Sequence, residues 1–172
     1  VAIARYYNID VFATSTWTAT GATITSTTPT QILTGTTAAT ADVNVSAVRA
    51  SCLGAASFPS NASFAASLNI GLTTTTGGQT AVARLLGGGS SLASNTTWKT
   101  AGGAAAAAIT ATTQSTGLWS QELPFTAGAN WGEWFSPGFE INIAAAAIFC
   151  LWITQSSAGT GTTFGGSIEY TE

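Results

Sequence analysis

An alternation of period two runs through almost the whole chain, and it limits the fold more than any other feature. It is cleanest at Phe64–Thr73, where Phe64, Ala66, Leu68, Ile70 and Leu72 alternate with Ala65, Ser67, Asn69, Gly71 and Thr73. Successive side chains point to opposite faces in a strand, so this segment should turn one face to a core and the other away from it. Ile3–Ala13 alternates too, with large residues on both sides: Ile3, Arg5, Tyr7, Ile9 and Val11 against Tyr6, Asn8, Asp10 and Phe12. Asp42–Leu53 begins with Val43, Val45 and Ala47 on one side, then changes phase to Val48, Ala50 and Cys52. Such a change calls for a β-bulge near Ala47 or a strand that changes sheets.

Turn residues divide the rest. Pro29 interrupts the Thr-rich run Ala22–Leu33, which suits a strand edge or the start of a second short strand. Gly35–Thr40, Gly54–Asn61, Thr73–Gln79 and Ser90–Thr97 read as turns and loops, and Thr80–Leu86 and Leu118–Phe125 as strands. Ala101–Ala108 has the helix propensity of alanine but no amphipathic stripe, and reads as strand or loop. Ala127–Gly138 reads as an aromatic loop, Phe139–Ile143 as a strand and Ala144–Ala147 as a turn. Ile148–Thr154, apolar on both faces, reads as a central strand, followed by a polar loop at Ser156–Gly166 and a last strand at Ser167–Glu172. Four of the six tryptophans lie in Trp119–Trp152, which is expected to anchor the core with its large side chains. The expected fold is all-β: a single-domain, jelly-roll-like β-sandwich over residues 1–172, with about eight to ten short antiparallel strands. Residues 1–13 are expected to be an N-terminal arm or an edge strand.

Composition excludes several classes of function. Charged residues make up 6% of the chain, against about 25% in an ordinary domain. Arg5, Arg49, Arg84 and Lys99 are the only cations, too few and too scattered for a nucleic-acid footprint. The longest apolar run, Ile143–Ile153, is well short of the ~20 residues of a membrane-spanning helix. Met is absent even at position 1, which points to removal of an initiator or of a longer leader. A surface so poor in charge is often one that a partner covers.

There is no histidine, so the usual general base and the common nucleophilic triads are missing. A carboxylate pair drawn from Glu122, Glu133 and Glu140 beside Trp131 and Trp134 would suit a glycosidase. The plainer reading is of solvated acids beside core or interface tryptophans, and no catalytic residue is assigned. No cofactor and no metal are expected: Asp10 and Asp42 stand alone in their segments, and Gly87–Gly89 lacks the context of a phosphate-binding loop. Cys52 and Cys150 fit two reduced core thiols or one disulfide. Three tripeptides beginning at Asn44, Asn61 and Asn95 match glycosylation acceptors, a pattern that chance supplies freely in so Ser/Thr-rich a chain. Trp131, Trp134 and Phe135, with Glu133, are the candidate interface residues, together with Arg5, Tyr6 and Tyr7. Arg49 and Arg84, on otherwise apolar strands, are expected to pair with acids.

The order of segments carries a resemblance. RYYNIDVFA is followed by TPTQIL, AVRASCLG, FAASLNIGL, TTGGQTAVARLL, LWSQELPFTAGANWGEWFSPGFEINI and a terminal SIEYTE. This order resembles the small β-sandwich decoration (cement) proteins that coat the capsids of tailed bacteriophages. The resemblance implies a non-enzymatic virion subunit on the outer surface of the capsid. It further implies a homotrimer whose partners are its own copies and the major capsid protein, with no nucleic acid and no membrane. Two alternatives remain beside it: an extracellular fibre or pilus-type subunit assembled by strand addition, and a carbohydrate-binding module.

Overall fold

The computed structural model describes residues 5–10, 22–24, 30–54, 63–70, 75–76, 79–86, 93–100, 110–111, 116–124, 130–155 and 162–172. All regular structure in them is β. In chain order the strands are Tyr6–Asp10 (β1), Ala22–Ile24 (β2), Thr30–Thr36 (β3), Val43–Gly54 (β4) and Ser63–Ile70 (β5). Five short ones follow: Thr75–Thr76 (β6), Gln79–Ala81 (β7), Arg84–Leu85 (β8), Thr97–Thr100 (β9) and Thr110–Ala111 (β10). The last five are Thr116–Pro124 (β11), Asn130–Trp134 (β12), Ile141–Ile143 (β13), Ile148–Gln155 (β14) and Thr162–Thr171 (β15). The count exceeds the expected eight to ten because seven of the fifteen strands have four residues or fewer.

The eight longer strands give the topology. One sheet runs β12-β4-β15-β1-β8, with β13 also on β4 and β2 on β15. The other runs β11-β5-β14-β3-β9-β7, and β10-β6 form a separate ribbon. Numbering the eight long strands one to eight in chain order, the sheets read 6-3-8-1 and 5-4-7-2. That is the strand order of a jelly roll, two Greek keys folded into two sheets. Every pairing is antiparallel. The short strands β6 to β10 all belong to the connection between the fourth and fifth long strands.

The sheets meet face to face. Phe64 of β5 packs edge-on against Phe164 of β15 with ring centroids 4.7 Å apart. Trp98 of β9 donates its indole N–H to the hydroxyl of Tyr170 on β15 at 2.9 Å. Among the described residues Trp98 is the largest fully buried side chain, with Tyr7, Tyr170, Phe64, Phe149 and Phe164 next. The core is thus not anchored chiefly by Trp119–Trp152: of that stretch's tryptophans, Trp134 is exposed and Trp119 and Trp131 are half-buried. Trp152 packs with Cys150 in a second cluster apart from the main core, because Phe149, Leu151 and Ile153 take the inward positions of β14.

The phase change in β4 is a bulge. Tyr170 opposes Val45 and Glu169 opposes Ala47, leaving Ser46 as the extra residue, one position from where the alternation placed it. A second register shift leaves Leu53 over, between Gly54 and Cys52. β14 is central, between β5 and β3, and the Ala144–Ala147 turn is present. Two glycine-containing segments read as turn or loop are strand in part, with a turn kept at 39–40 and residues 156–161 outside the described residues. β3 continues through Gly35 to Thr36, and β15 begins at Thr162, so Gly165 and Gly166 lie inside it. A Cβ on Gly166 would come within 2.6 Å of Leu151 and 2.7 Å of Ile32 in the facing sheet, and one on Gly35 within 2.6 Å of the Phe149 ring. These positions mark close approach, not a turn. Ala101–Ala108 lies outside the described residues, as do residues 1–4 and 11–13 of the proposed arm. The described part of that arm, β1, is held between β15 and β8.

Candidate interaction surface

The predicted aromatic loop Ala127–Gly138 contains a strand, Asn130–Trp134, ahead of irregular chain at 135–138, while 127–129 lie outside the described residues. Asn130–Trp134 pairs with β4, setting Trp131 opposite Ala50, Gly132 opposite Arg49 and Trp134 opposite Ala47. Because side chains alternate, Trp131 and Glu133 point to the inner side of the sandwich, while Gly132 and Trp134 point outward. On the inner side Trp131 stacks on Trp119 of β11, in the other sheet, with centroids 4.9 Å apart and planes 18° from parallel. The Trp119 indole N–H donates to the Glu133 carboxylate at 2.5 Å. On this flank, where the edge strands β11 and β12 lie across from each other, these side chains bridge the two sheets. Such a stack is worth about 0.5–1.5 kcal/mol beyond its buried area.

On the outer side Arg49 lies across β12. A Cβ on Gly132 would meet its Cγ at 2.7 Å, so glycine leaves the room that Arg49 occupies. The guanidinium pairs with Glu169 at 2.8 Å and sits 4.3 Å from the centroid of the Trp134 ring. One face of Trp134 is thus covered and the side chain remains 62% exposed. Residues 135–140 then interrupt the edge before β13. Phe139 N–H donates to the Ser136 carbonyl at 2.8 Å, with Pro137 and Gly138 between them and Gly138 at φ 87°. That is a type II turn, whose third position needs positive φ. The Glu140 carboxylate accepts the Gly138 N–H at 2.6 Å, and the turn leaves Phe139 80% exposed. Phe135 packs partly against the core.

On the opposite flank the described residues include the chain's own crossing between the sheets. Residues 79–86 pass from β7 in one sheet to β8 in the other. Ala81 and Ala83 turn inward while Val82, Arg84 and Leu86 turn outward. Val82 is 78% exposed, and Leu86, whose N–H donates to the Tyr6 carbonyl at 2.7 Å, is 43% exposed beside Tyr6 at 55%. Behind them runs a hydrogen-bonded chain. Trp98 donates to Tyr170, Tyr170 to Ser94 at 2.7 Å, and Ser94 to Glu172 at 2.6 Å. Backbone N–H groups of Asn95 and Thr96 also donate to Glu172, each at 2.8 Å. Partial burial works against the Glu172 carboxylate, yet these donors outweigh it and hold its pKa below the usual value. Burial pushes the Tyr170 hydroxyl and the Cys150 thiol well up.

Of the candidate residues, Trp134, Arg5 and Tyr6 are exposed, and Trp131, Glu133 and Phe135 are partly buried within the chain. Tyr7 is wholly buried, stacked on Tyr170 at 5.4 Å, because it takes an inward position on β1; it packs the core instead of a neighbour. Trp131 and Trp134 lie on opposite faces of one strand and form no common platform. Arg49 pairs with an acid as expected, while Arg84 reaches the Asn8 side-chain oxygen at 3.5 Å. Phe139, Val82 and Leu86 were not anticipated. The alternation Ala81 to Leu86 would have shown two of them, and the Ser-Pro-Gly-Phe turn the third. Among the described residues no group of three His, Cys, Asp or Glu side chains could hold a metal ion, and no helix is long and apolar enough to cross a membrane. An open polar hollow lies at the bulge of β11, lined by Ser67, Asn69 and Gly117 to Ser120. Compared with protein-family models, curated proteins and solved structures, the chain gives no match.

Proposed function

We propose that this protein is a non-enzymatic structural subunit of a virion, a decoration protein that binds the outer surface of a capsid and stiffens the shell. The observation that carries the reading is a jelly roll that leaves Trp134 and Phe139 exposed at a sheet edge, on a chain with little charge to solvate it. Jelly rolls serve in capsid and lectin domains alike, so the fold narrows the field without choosing within it. Rigid aromatic area on a nearly uncharged surface favours protein contact, since aromatic residues are enriched and charges depleted where protein surfaces meet. The partner in this reading is the major capsid protein, and the mechanism is adhesion through added interface area. A sugar-binding module would want Trp131 and Trp134 on one face, and a strand-donating fibre subunit would want β1 free of its own sheet.

Virus particles banded from the source's own lysate should contain the chain in fixed ratio to the major capsid protein. Shells stripped of it should rebind the purified protein and withstand a higher temperature than bare shells. Trp134→Ala should bind such shells at least tenfold more weakly, with an unchanged circular-dichroism spectrum. Particles that lack the chain, or shells indifferent to it, would remove the reading.

A further inference from the structure

The polar hollow beside β11 lies on the outer face of the sheet β11-β5-β14-β3-β9-β7, whereas Trp134 points out of the other sheet. Phe64, Ala66 and Leu68 of β5 belong to the core between the sheets, so Ser67 and Asn69 point outward. Ser120 stands opposite Ser67 and Gly117 opposite Asn69, and these four share the outer face. Between Gly117 and Trp119, Leu118 is the extra residue of a bulge, and both Leu118 and Trp119 pack against the core. Bulges recur beside active sites, where they re-aim side chains. The hollow measures about 390 Å³, at the small end of the range for small-molecule sites. Asn69 is wholly buried and donates from Nδ2 to the Ser67 hydroxyl at 2.9 Å. Ser67 therefore accepts with its oxygen and keeps its own proton to donate, and the Ser120 hydroxyl beside it can do either.

We infer that this hollow binds a neutral, hydroxyl-rich ligand, a single sugar residue. Charge narrows the ligand first. Lys99 is the only cation on the six strands of this sheet, and it lies four strands from β11, about 19 Å away. An anion would find no counter-charge there. The only acid on those strands is Glu122, exposed on the same face two residues beyond Ser120, roughly 7 Å along the strand. A carboxylate at the rim accepts from hydroxyls, while Ser67 donates to them, so neighbouring hydroxyls of one ring meet an acceptor and a donor. A simple cation would use the acid and leave that donor idle. The site needs no aromatic platform, and it goes beyond the proposed function without depending on it. Because Trp134 lies on the outer face of the opposite sheet, a subunit seated by Trp134 keeps the hollow open.

The test is an NMR titration of the ¹⁵N-labelled protein. The probes are the methyl glycosides of glucose, galactose, mannose and N-acetylglucosamine, each to about 50 mM, then inorganic phosphate and tetramethylammonium. At least one glycoside should move the amide signals of Asn69 and Gly117–Ser120, with half-saturation at roughly 1–10 mM. Phosphate and tetramethylammonium should move none of them. Ser67→Ala should raise the half-saturation about fivefold, the worth of one hydrogen bond. Ser120→Phe, which fills the mouth, should abolish the shifts, and Trp134→Ala should leave them unchanged. Gly117→Ala replaces either hollow variant that loses the native spectrum, since its methyl group would stand 3.4 Å from the Asn69 Oδ1. Glycosides that move none of these signals, shifts that map elsewhere, shifts that survive both hollow variants, or phosphate acting in a glycoside's place would overturn the site. No shell takes part, so these outcomes are separate from the rebinding experiment.

Discussion

The two flanks of the sandwich bury their aromatic side chains to different extents. On one side the chain itself crosses between sheets at 79–86, over a fully buried Trp98 and a relay of hydrogen bonds ending at Glu172. On the other β11 and β12, consecutive in the chain but in opposite sheets, are held to each other by Trp119, Trp131 and Glu133. The first arrangement buries its aromatics completely; the second leaves them half-open. Half-buried aromatics give that flank fewer buried contacts, so it is expected to open at a lower free energy than the Trp98 flank, and the outward Trp134 and the Phe139 turn stand on it.

The difference should appear first in stability. Trp98→Ala removes a ring with about 1% exposure and leaves the Tyr170 hydroxyl without its donor, so a loss of about 3–5 kcal/mol is expected in urea unfolding. Trp119→Ala should cost less, about 1–2 kcal/mol, and a double-mutant cycle with Trp131→Ala should return a coupling of about 0.5–1.5 kcal/mol. If Trp119→Ala proved the costlier of the two, the ranking of the flanks would invert. The smallest effect is in pH. Because Glu172 titrates lower folded than unfolded, its contribution is complete above the ordinary carboxylate range and is lost as pH falls through its depressed value. Thermal melts taken downward from about pH 5 should therefore fall less steeply for Glu172→Gln than for the wild type. Equal slopes would mean that the relay does not couple protonation to folding.

Much of this architecture can be read from alternation. The bulge in β4 shows as a phase slip, because one extra residue exchanges the two faces of everything beyond it. Central β14 shows as a run apolar on both sides. The interior glycines do not show, since Gly35 and Gly166 look the same in sequence whether they make a turn or admit a facing side chain; only the opposed Phe149, Leu151 and Ile32 decide between the two. The candidate surface was half legible for a related reason. Taken as a loop, Trp131 and Trp134 look like neighbours. Three residues apart on a strand, they must face opposite ways. The crossing at 79–86 also escaped, because one unbroken alternation was read as one strand while the chain was changing sheets within it.

The cysteines give the fold a pair of built-in clocks. Cys52 belongs to the cluster between the sheets and Cys150 to the cluster apart from it, both wholly buried and neither in a disulfide. A thiol reagent must wait for the sheets to part before it reaches the first, but only for the local cluster of Trp152 and Ile148 to open before it reaches the second. The ratio of the two labelling rates, followed by mass, would therefore time local breathing against global opening in a single untagged molecule.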